Sequence, residues 1–509
     1  MGHESARMLL DVYEHVDWTQ KVKAIENLPD FFGLYMLSWT PLIKLRTNGR
    51  LQSTRWMTTA HPSLVTLRLL TFSDRIFKKS SNDDLKEITF MSLSEKNSFN
   101  SSGMSLSRSR RLYLALVLGM MAAFGPLCTD TYLPMLPSLS ADLSISTTMT
   151  QLTITACLLG MALGQLFVGP ISDGKGRRWP LFISLVLFSV ASILCALADS
   201  GNVFILLRFA QGLGGAGGIV LSRAIACDLF RGAELTSFMS LLMAIQGIAP
   251  IIGPLLGGGI AIIGGWPLIF VFLTGFGVIL FFMTIRGLPE TLSEKTRRSD
   301  GIIASFRSMG ALFHEKAFLC YVGVQGFTMA GFFGYVAASP FVIQNIYGLS
   351  STTYSLIFGA NACSIMAAAL ITGRLSRKLG DARLLKLGDT LRCTACVGVL
   401  AVTLMAPTSP WPLLLALFFM QALQGVTLTA SFTLAISAQK VGAGAASGIL
   451  GVAMFVFGAF ASPLVGLAGP NTALPLGIVS ALTGIVSLIL TRCGNKFMEA
   501  PTSWHKKSV

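Results

Sequence analysis

The sequence predicts an all-α membrane protein of twelve transmembrane helices in two pseudo-symmetric six-helix bundles. Three observations predict it. First, 52% of the 509 residues are hydrophobic and only 12% charged, about half the 25% of a typical soluble domain. So little polar material cannot cover a water-exposed surface, and the apolar excess is expected to face lipid. Second, apolar runs of about 20 residues, the length a spanning helix needs, recur from Leu112 onward. Third, Lys and Arg occupy every second link between those runs.

Residues 1–103 differ from this pattern, with 13 Lys/Arg against 11 Asp/Glu, whereas the remainder holds 26 against 13. Their longest apolar stretch, LPDFFGLYMLSWTPLIKL (28–45), is broken by Asp30, Pro41 and Lys44 and is not expected to span a bilayer. No signal-peptide pattern opens the chain. Asn82 to Ser107 is polar and rich in Ser and Asn, the composition of a disordered segment. Residues 1–103 therefore read as a polar, disordered extension. Met104, followed by SLSRSRR and the first long apolar run, is an alternative candidate start.

Twelve spans follow, at 112–136, 150–171, 179–198, 203–226, 236–262, 267–286, 318–341, 354–373, 384–406, 412–435, 446–467 and 474–491. They divide into a bundle over 104–287, a basic linker at 288–317, a second bundle over 318–495 and a tail at 496–509. The basic links hold Lys175, Arg177 and Arg178; Arg231; Lys295 to Lys316; Arg374 to Lys386; Lys440; and the tail lysines. The alternating links 138–149, 199–202, 263–266, 342–353, 407–411 and 468–473 contain no Lys or Arg. The positive-inside rule then places both termini in the cytoplasm of a multi-pass inner-membrane protein. The same charges account for the net +15 without a nucleic-acid partner.

GPISDGKGRR begins at Gly169 and GRLSRKLGDAR at Gly373, 204 residues later. Each follows the second span of its half. The nine Cys are scattered, and the Cys393–Cys396 pair lies in an apolar helix, not a redox context. The five His form no cluster, so neither a metal nor a cofactor is expected.

RFAQGLGGAGG (208–218) spells G-x-G-x-x-G with Gly212, Gly214 and Gly217, and Glu234 follows 20 residues after Gly214. That pattern raises a nucleotide-binding membrane enzyme as a competing class. A dinucleotide loop joins a strand to a helix whose first amides meet the phosphates. Here the glycines lie inside the apolar segment 203–226, whose backbone must be internally hydrogen-bonded in lipid. They read as a packing seam beside Arg208. A channel, a third class, would need no titratable site.

Four motifs carry the chemistry. Gly169, Asp173, Gly176, Arg177 and Arg178 end the second span and open the third. An acid at a helix end can pair with Arg and face another helix's positive N-terminus, making a latch; topogenic charge alone is the alternative. Arg208, Gln211 and Gly212 lie in the fourth span, where a buried Arg is costly and by default functional, unless it snorkels. CTDTYLPMLP (128–137) places Asp130 in the first span, with Pro134 and Pro137 positioned to kink it. Removing a carboxyl group from water favours its protonated form, which suits a proton carrier; a solvated vestibule is the alternative. Gly253, Pro254, Gly257 and Gly258 in the fifth span allow close, bendable packing.

The segment 151–178 resembles the loop signature of the major facilitator superfamily, G-x-x-x-D-(R)-x-G-R-R, with Gly174 standing where Arg is usual. R-x-x-Q-G at 208–212, G-P-x-x-G-G at 253–258, LPET at 288–291 and the D-x-Y-x-P stretch extend the likeness over 104–495. Together they resemble the drug:proton antiporter branch, in particular bicyclomycin/chloramphenicol-resistance exporters of the Bcr/CflA type. The resemblance implies two six-helix repeats, alternating access and monomeric export of small hydrophobic compounds in exchange for protons. It assigns the latch to the cytoplasmic gate, Arg208 and Asp130 to proton coupling, and the G-P element to exporters. Ala122 and Ala123 stand where some drug exporters carry another acid, which argues against cationic substrates. In the second loop copy Arg377 replaces the acid, implying a weaker latch. A proton-coupled metabolite exporter or importer is the alternative within the family. Candidate cavity residues are Tyr132, Gln246, Gln325, Phe332, Tyr335, Asn361, Gln421 and Gln424, each also suited to helix–helix hydrogen bonding.

Overall fold

The computed structural model describes residues 108–293, 297, 307, 309–439 and 443–499. The predicted extension, residues 294–296, 298–306 and 308 of the basic linker and the end of the tail lie outside the described residues. Among those residues every regular element is helical, and ten helices are long and apolar enough to cross a membrane. The first span and one break inside a longer helix complete the set of twelve.

The first span is a broken helix. Helix α1 (Arg108–Ala122) passes into α2 (Phe124–Asp130), a short 3-10 turn at Leu133–Met135, and α3 (Leu136–Asp142). The pieces bend by 41° after Ala122. Pro126 lies four residues after Ala122, so its ring displaces the Ala122 carbonyl and its missing N–H removes that bond. The main bend thus falls at Pro126, and the expected Pro134 and Pro137 shape the tighter stretch beyond.

Helices α4 (Thr147–Lys175), α5 (Arg178–Ala196) and α6 (Gly201–Leu229) follow. Helix α7 (Gly232–Gly287) is two arms, because the backbone leaves helical geometry at Gly264 and Gly265. The break falls in the predicted link 263–266. The second half contains α8 (Lys316–Phe341), α9 (Ser351–Leu379), α10 (Asp381–Met405), α11 (Trp411–Ala438), α12 (Ala443–Leu464) and α13 (Leu474–Glu499).

The repeat extends to the helix ends. Ser146 caps α4 by accepting from the Met149 N–H, and Ser350 caps α9 from Thr353 in the same way. At the far ends Gly176 (φ 93°) and Gly380 (φ 79°) stop the two helices, in a backbone region that only glycine adopts without strain. Both pairs are 204 residues apart.

The halves meet along α4 against α12 and the first arm of α7 against α9. At the end remote from the Arg177 loop, side chains of one half donate to carbonyls of the other. Thr148 reaches Gly466 at 3.0 Å, Gln151 reaches Ala337 at 3.2 Å, Thr155 reaches Ala459 at 3.0 Å, and Gln344 reaches Pro134 at 3.0 Å. These bonds tie the two halves together at that end.

Candidate functional site

The broken first helix generates the buried polar centre of the first half. A helix end leaves its last carbonyls without intrahelical partners, and α2 ends inside the protein at Asp130. Arg208 of α6, fully buried, donates from Nη2 to the Cys128 carbonyl at 2.9 Å and from Nη1 to Gln211 Oε1. Its guanidinium lies 4.4 Å from the centre of the Tyr132 ring and 5.6 Å from that of Phe270, so aromatic faces stabilise part of the charge. Gln211 passes the network to Ser192 at 2.7 Å.

Asp130 is 2% exposed and accepts one hydrogen bond, from Thr129 Oγ1 at 2.7 Å. No ion pair joins it to Arg208 or to any other described cation. Because the guanidinium is used by the carbonyl two residues before Asp130, the base and the acid serve different partners.

The G-P element packs against the same place. A Cβ at Gly253 would lie 3.4 Å from that of Asp130, and one at Gly257 would strike the Thr131 carbonyl. Gly258 faces Ser355 of the other half, while Pro254 lies within α7. Gly212, in the glycine-rich stretch, lies against the Cys157 backbone, and Gly214 against Ser184 and Phe188. These glycines form a close seam of α6 with α4 and α5.

At the opposite end Arg177 organises the loop. It is 8% exposed and donates to Asp173 at 2.5 Å, Asp228 at 2.9 Å and Ser172 at 2.7 Å. Burial alone would lower its basicity, but the bonds it donates to Asp228 and Asp173 hold its pKa above the ordinary arginine value. Glu290 accepts from the Arg177 and Arg178 backbone N–H groups at 2.8 and 3.2 Å, beside Gly176. Thr291 adds a bond to Asp228 at 2.9 Å. The latch thus ties α4, α5, α6 and the segment after α7 within one half. Gly169 makes only ordinary contact with Val220. In the second copy Arg377 is exposed and forms no ion pair with a described residue.

The cavity candidates separate into three kinds. Tyr132 bonds Thr153 at 3.0 Å, Gln325 bonds Leu428 and Ser431 at 2.7 and 3.0 Å, and Gln246 accepts from Arg223 at 2.9 Å. These connect helices. Asn361 donates to the buried Tyr335 hydroxyl at 2.8 Å, and half-buried Phe332 packs on Phe333. Gln421 is fully buried, and among the described residues neither of its amide atoms has a partner and Gln424 reaches only the Met329 sulfur at 3.9 Å.

Sequence reasoning missed Asp228, which lies 51 residues from Arg177 and carries no local signal; it picked out Glu290 only as part of LPET (288–291), without its partnership with the Arg177 N–H 113 residues away. It also missed a buried ion pair in α10. Asp389 and Arg392 meet at 3.0 Å and are 0% and 2% exposed. Ser487 (3.0 Å) and Thr491 (2.8 Å) of α13 donate to the same carboxylate. Here a signal existed, an acid and a base three residues apart inside a predicted span.

Two repeated helical halves, buried charges at mid-span and an ionic loop at one end define a membrane transport protein. The chain belongs to the Major Facilitator Superfamily, whose profile matches residues 112–463. It is 39% identical over 379 residues to the uncharacterized MFS-type transporter YdgK of Bacillus subtilis, covering 74% of this chain and 94% of that one. It is 26% identical over 374 residues to a bicyclomycin resistance protein homolog of Haemophilus influenzae, with the same coverage. The fold matches a bacterial homolog of the human lysosomal transporter Spinster, crystallised inward-facing and occupied. That match has a TM-score of 0.63 at 14% identity and covers 77% of this chain and 97% of the other.

Proposed function

We propose that this protein exports small hydrophobic compounds, including antibiotics, in exchange for protons. The observation that carries the reading is Asp130: a buried carboxyl with one hydrogen bond and no cation, packed against the Gly253 element. A carboxyl so placed can change charge without dismantling an ion pair. Bicyclomycin, named in the Haemophilus relative, is the first compound to try. Substrate and proton compete for a cavity between the bundles 104–287 and 318–495, joined by the linker 288–317. Arg208 sets the field near Asp130, and Asp173 with Arg177 gates the cytoplasmic side. Both termini are cytoplasmic, the membrane is the bacterial inner membrane, and the monomer is the working unit. The driving force suffices, at about 2.3 kcal/mol per charge per 100 mV and about 1.4 kcal/mol per pH unit.

The test is uptake into everted membrane vesicles under an imposed pH gradient, with resistance measured in an efflux-deficient host. Wild type is expected to accumulate drug and confer resistance. Asp130→Asn is expected to reach the membrane yet lose all gradient-driven uptake. Full coupling in that variant would refute the assignment, and uptake only with the opposite gradient would make the protein an importer.

A further inference from the structure

Helix α5 presents a groove of about 570 Å³ to the membrane, lined by Trp179, Phe182, Ile183, Val186 and Val190 and flanked by Phe281 of α7. From Trp179 to Val190 the helix rises about 17 Å at 1.5 Å per residue. Half of the roughly 30 Å hydrocarbon core is about 15 Å, so the groove runs the depth of one leaflet. Trp179, at its mouth, is 70% exposed, and tryptophan favours the boundary between hydrocarbon and headgroups.

The mouth is basic. The Arg178 guanidinium stacks 5.2 Å over the groove-lining Phe182 and donates to the Ile285 carbonyl at 3.4 Å, while its buried Nε has no partner among the described residues. Lys175, three residues before Arg178, and Arg286, next to Ile285, are both exposed. None of the three forms an ion pair with a described residue. The local acids are already engaged, Asp173 and Asp228 by Arg177 and Glu290 by backbone N–H groups. Positive charge is therefore left over where the apolar groove opens to the interface.

We propose that the groove is a binding site for an anionic phospholipid. One acyl chain lies along α5 and the phosphate sits on Arg178, flanked by Lys175 and Arg286. The groove supplies chain length and shape, and the cations supply headgroup selectivity, as basic residues do at anionic membrane surfaces. The bound phosphate then neighbours Arg177, so lipid composition reaches the latch through adjacent residues.

Trp179 is its own reporter. The purified full chain is placed in phosphatidylcholine vesicles containing either brominated phosphatidylglycerol or brominated phosphatidylcholine. The Trp179 signal is taken as the difference from Trp179→Phe. Brominated phosphatidylglycerol is expected to quench that signal at a several-fold lower mole fraction. Arg178→Gln should reduce the preference about fivefold, the worth of one interfacial cation, while Arg178→Lys retains most of it. Val186→Phe, which fills the groove, should weaken quenching by both lipids. Equal quenching by the two lipids in wild type overturns the proposal, as does a preference unchanged in Arg178→Gln. If Arg178→Gln fails to fold, loss of preference in Arg178→Lys also counts against it, because the charge is kept.

Discussion

The two halves share a frame but place their buried charge on different helices. In the first half Phe124, Phe188 and Phe276 pack as an aromatic trio, with ring centres 4.4 and 5.6 Å apart. Moving on 204 residues from Phe124 and Phe188 reaches Thr328 and Arg392, and there the interior is polar. Asp389, Arg392, Ser487 and Thr328 form one network, the two hydroxyls 3.5 Å apart. The fourth helices show the reverse. R-x-x-Q-G at Arg208 becomes Q-x-x-Q-G at Gln421, 213 residues later, so a neutral amide stands where the first half carries a cation. Yet Gly212 and Gly425 both lie against a neighbouring carbonyl, of Cys157 and Ile365. The backbone seams are common to both halves, whereas the charges are particular to each.

The contrast also separates two buried acids. Asp389 is held by Arg392, Ser487 and Thr491, so it keeps a neutralising partner. Asp130 has a single hydroxyl donor. A proton can join Asp130 without breaking an ion pair, but not Asp389. The first half thus holds an acid without a paired base, and the second an acid braced by Arg392.

Transplanting first-half residues into the second half should give the largest effect. Asp389→Leu alone, copying Leu185, leaves Arg392 buried without a counter-charge and is expected to cost about 3–5 kcal/mol. Asp389→Leu with Arg392→Phe, copying Leu185 and Phe188, should recover to within about 2 kcal/mol of wild type, since apolar packing replaces buried pairs at little net cost. Thermal unfolding of the purified protein in detergent reads both. A double variant as unstable as the single one would show that the pair is irreplaceable by packing.

A middle-sized effect sharpens what the halves share. Gly212→Ala and Gly425→Ala each drive a methyl group into a carbonyl of the adjacent helix. Each should destabilise by about 1–3 kcal/mol. Gly398, with nothing within 4 Å of an added Cβ, is the control, and its alanine should be neutral or stabilising by up to about 1 kcal/mol. The same melting series decides whether the two seams are equivalent.

The smallest effect concerns the loop. Burial would raise the Glu290 carboxyl, but N–H bonds from Arg177, Leu292 and Arg178, with Arg297 nearby, hold it below the usual carboxylate range. A depressed carboxyl stabilises the fold fully above its unfolded pKa of about 4.3, and that contribution disappears as pH falls through the folded value. Glu290→Gln should therefore speed amide exchange at Arg177 and Arg178 at neutral pH. As acid carries the pH down from about 4.3 through the lower folded value, the variant and wild type should converge. A gap that persists in acid would assign the effect to shape instead of charge.

Much of the fold was legible in the sequence because bilayer spans are a local property. The break at Gly264–Gly265 falls where a basic-free link was expected, and the paired caps at Ser146 and Ser350 keep the 204-residue period. The bend of the first span was less so. Pro134 and Pro137 drew attention, but Pro126 makes the 41° turn, since it stands mid-helix where a carbonyl must be displaced. The site was legible as residue types and not as partnerships. Arg208 and Asp130 stand out because charge is rare in lipid, but no spacing reveals that Arg208 binds the Cys128 carbonyl.

The spans, the twofold repeat and the charged positions can be read from the linear chain, because each follows from the cost of exposing polar groups to hydrocarbon over a short stretch. The tertiary structure decided which partner each charge takes. Asp228 and Glu290 gather on Arg177, Asp389 keeps Arg392 and two hydroxyls from α13, and Asp130 is left with Thr129 alone. Those choices rest on which helix faces which across the bundle, a distance the linear order of residues does not contain.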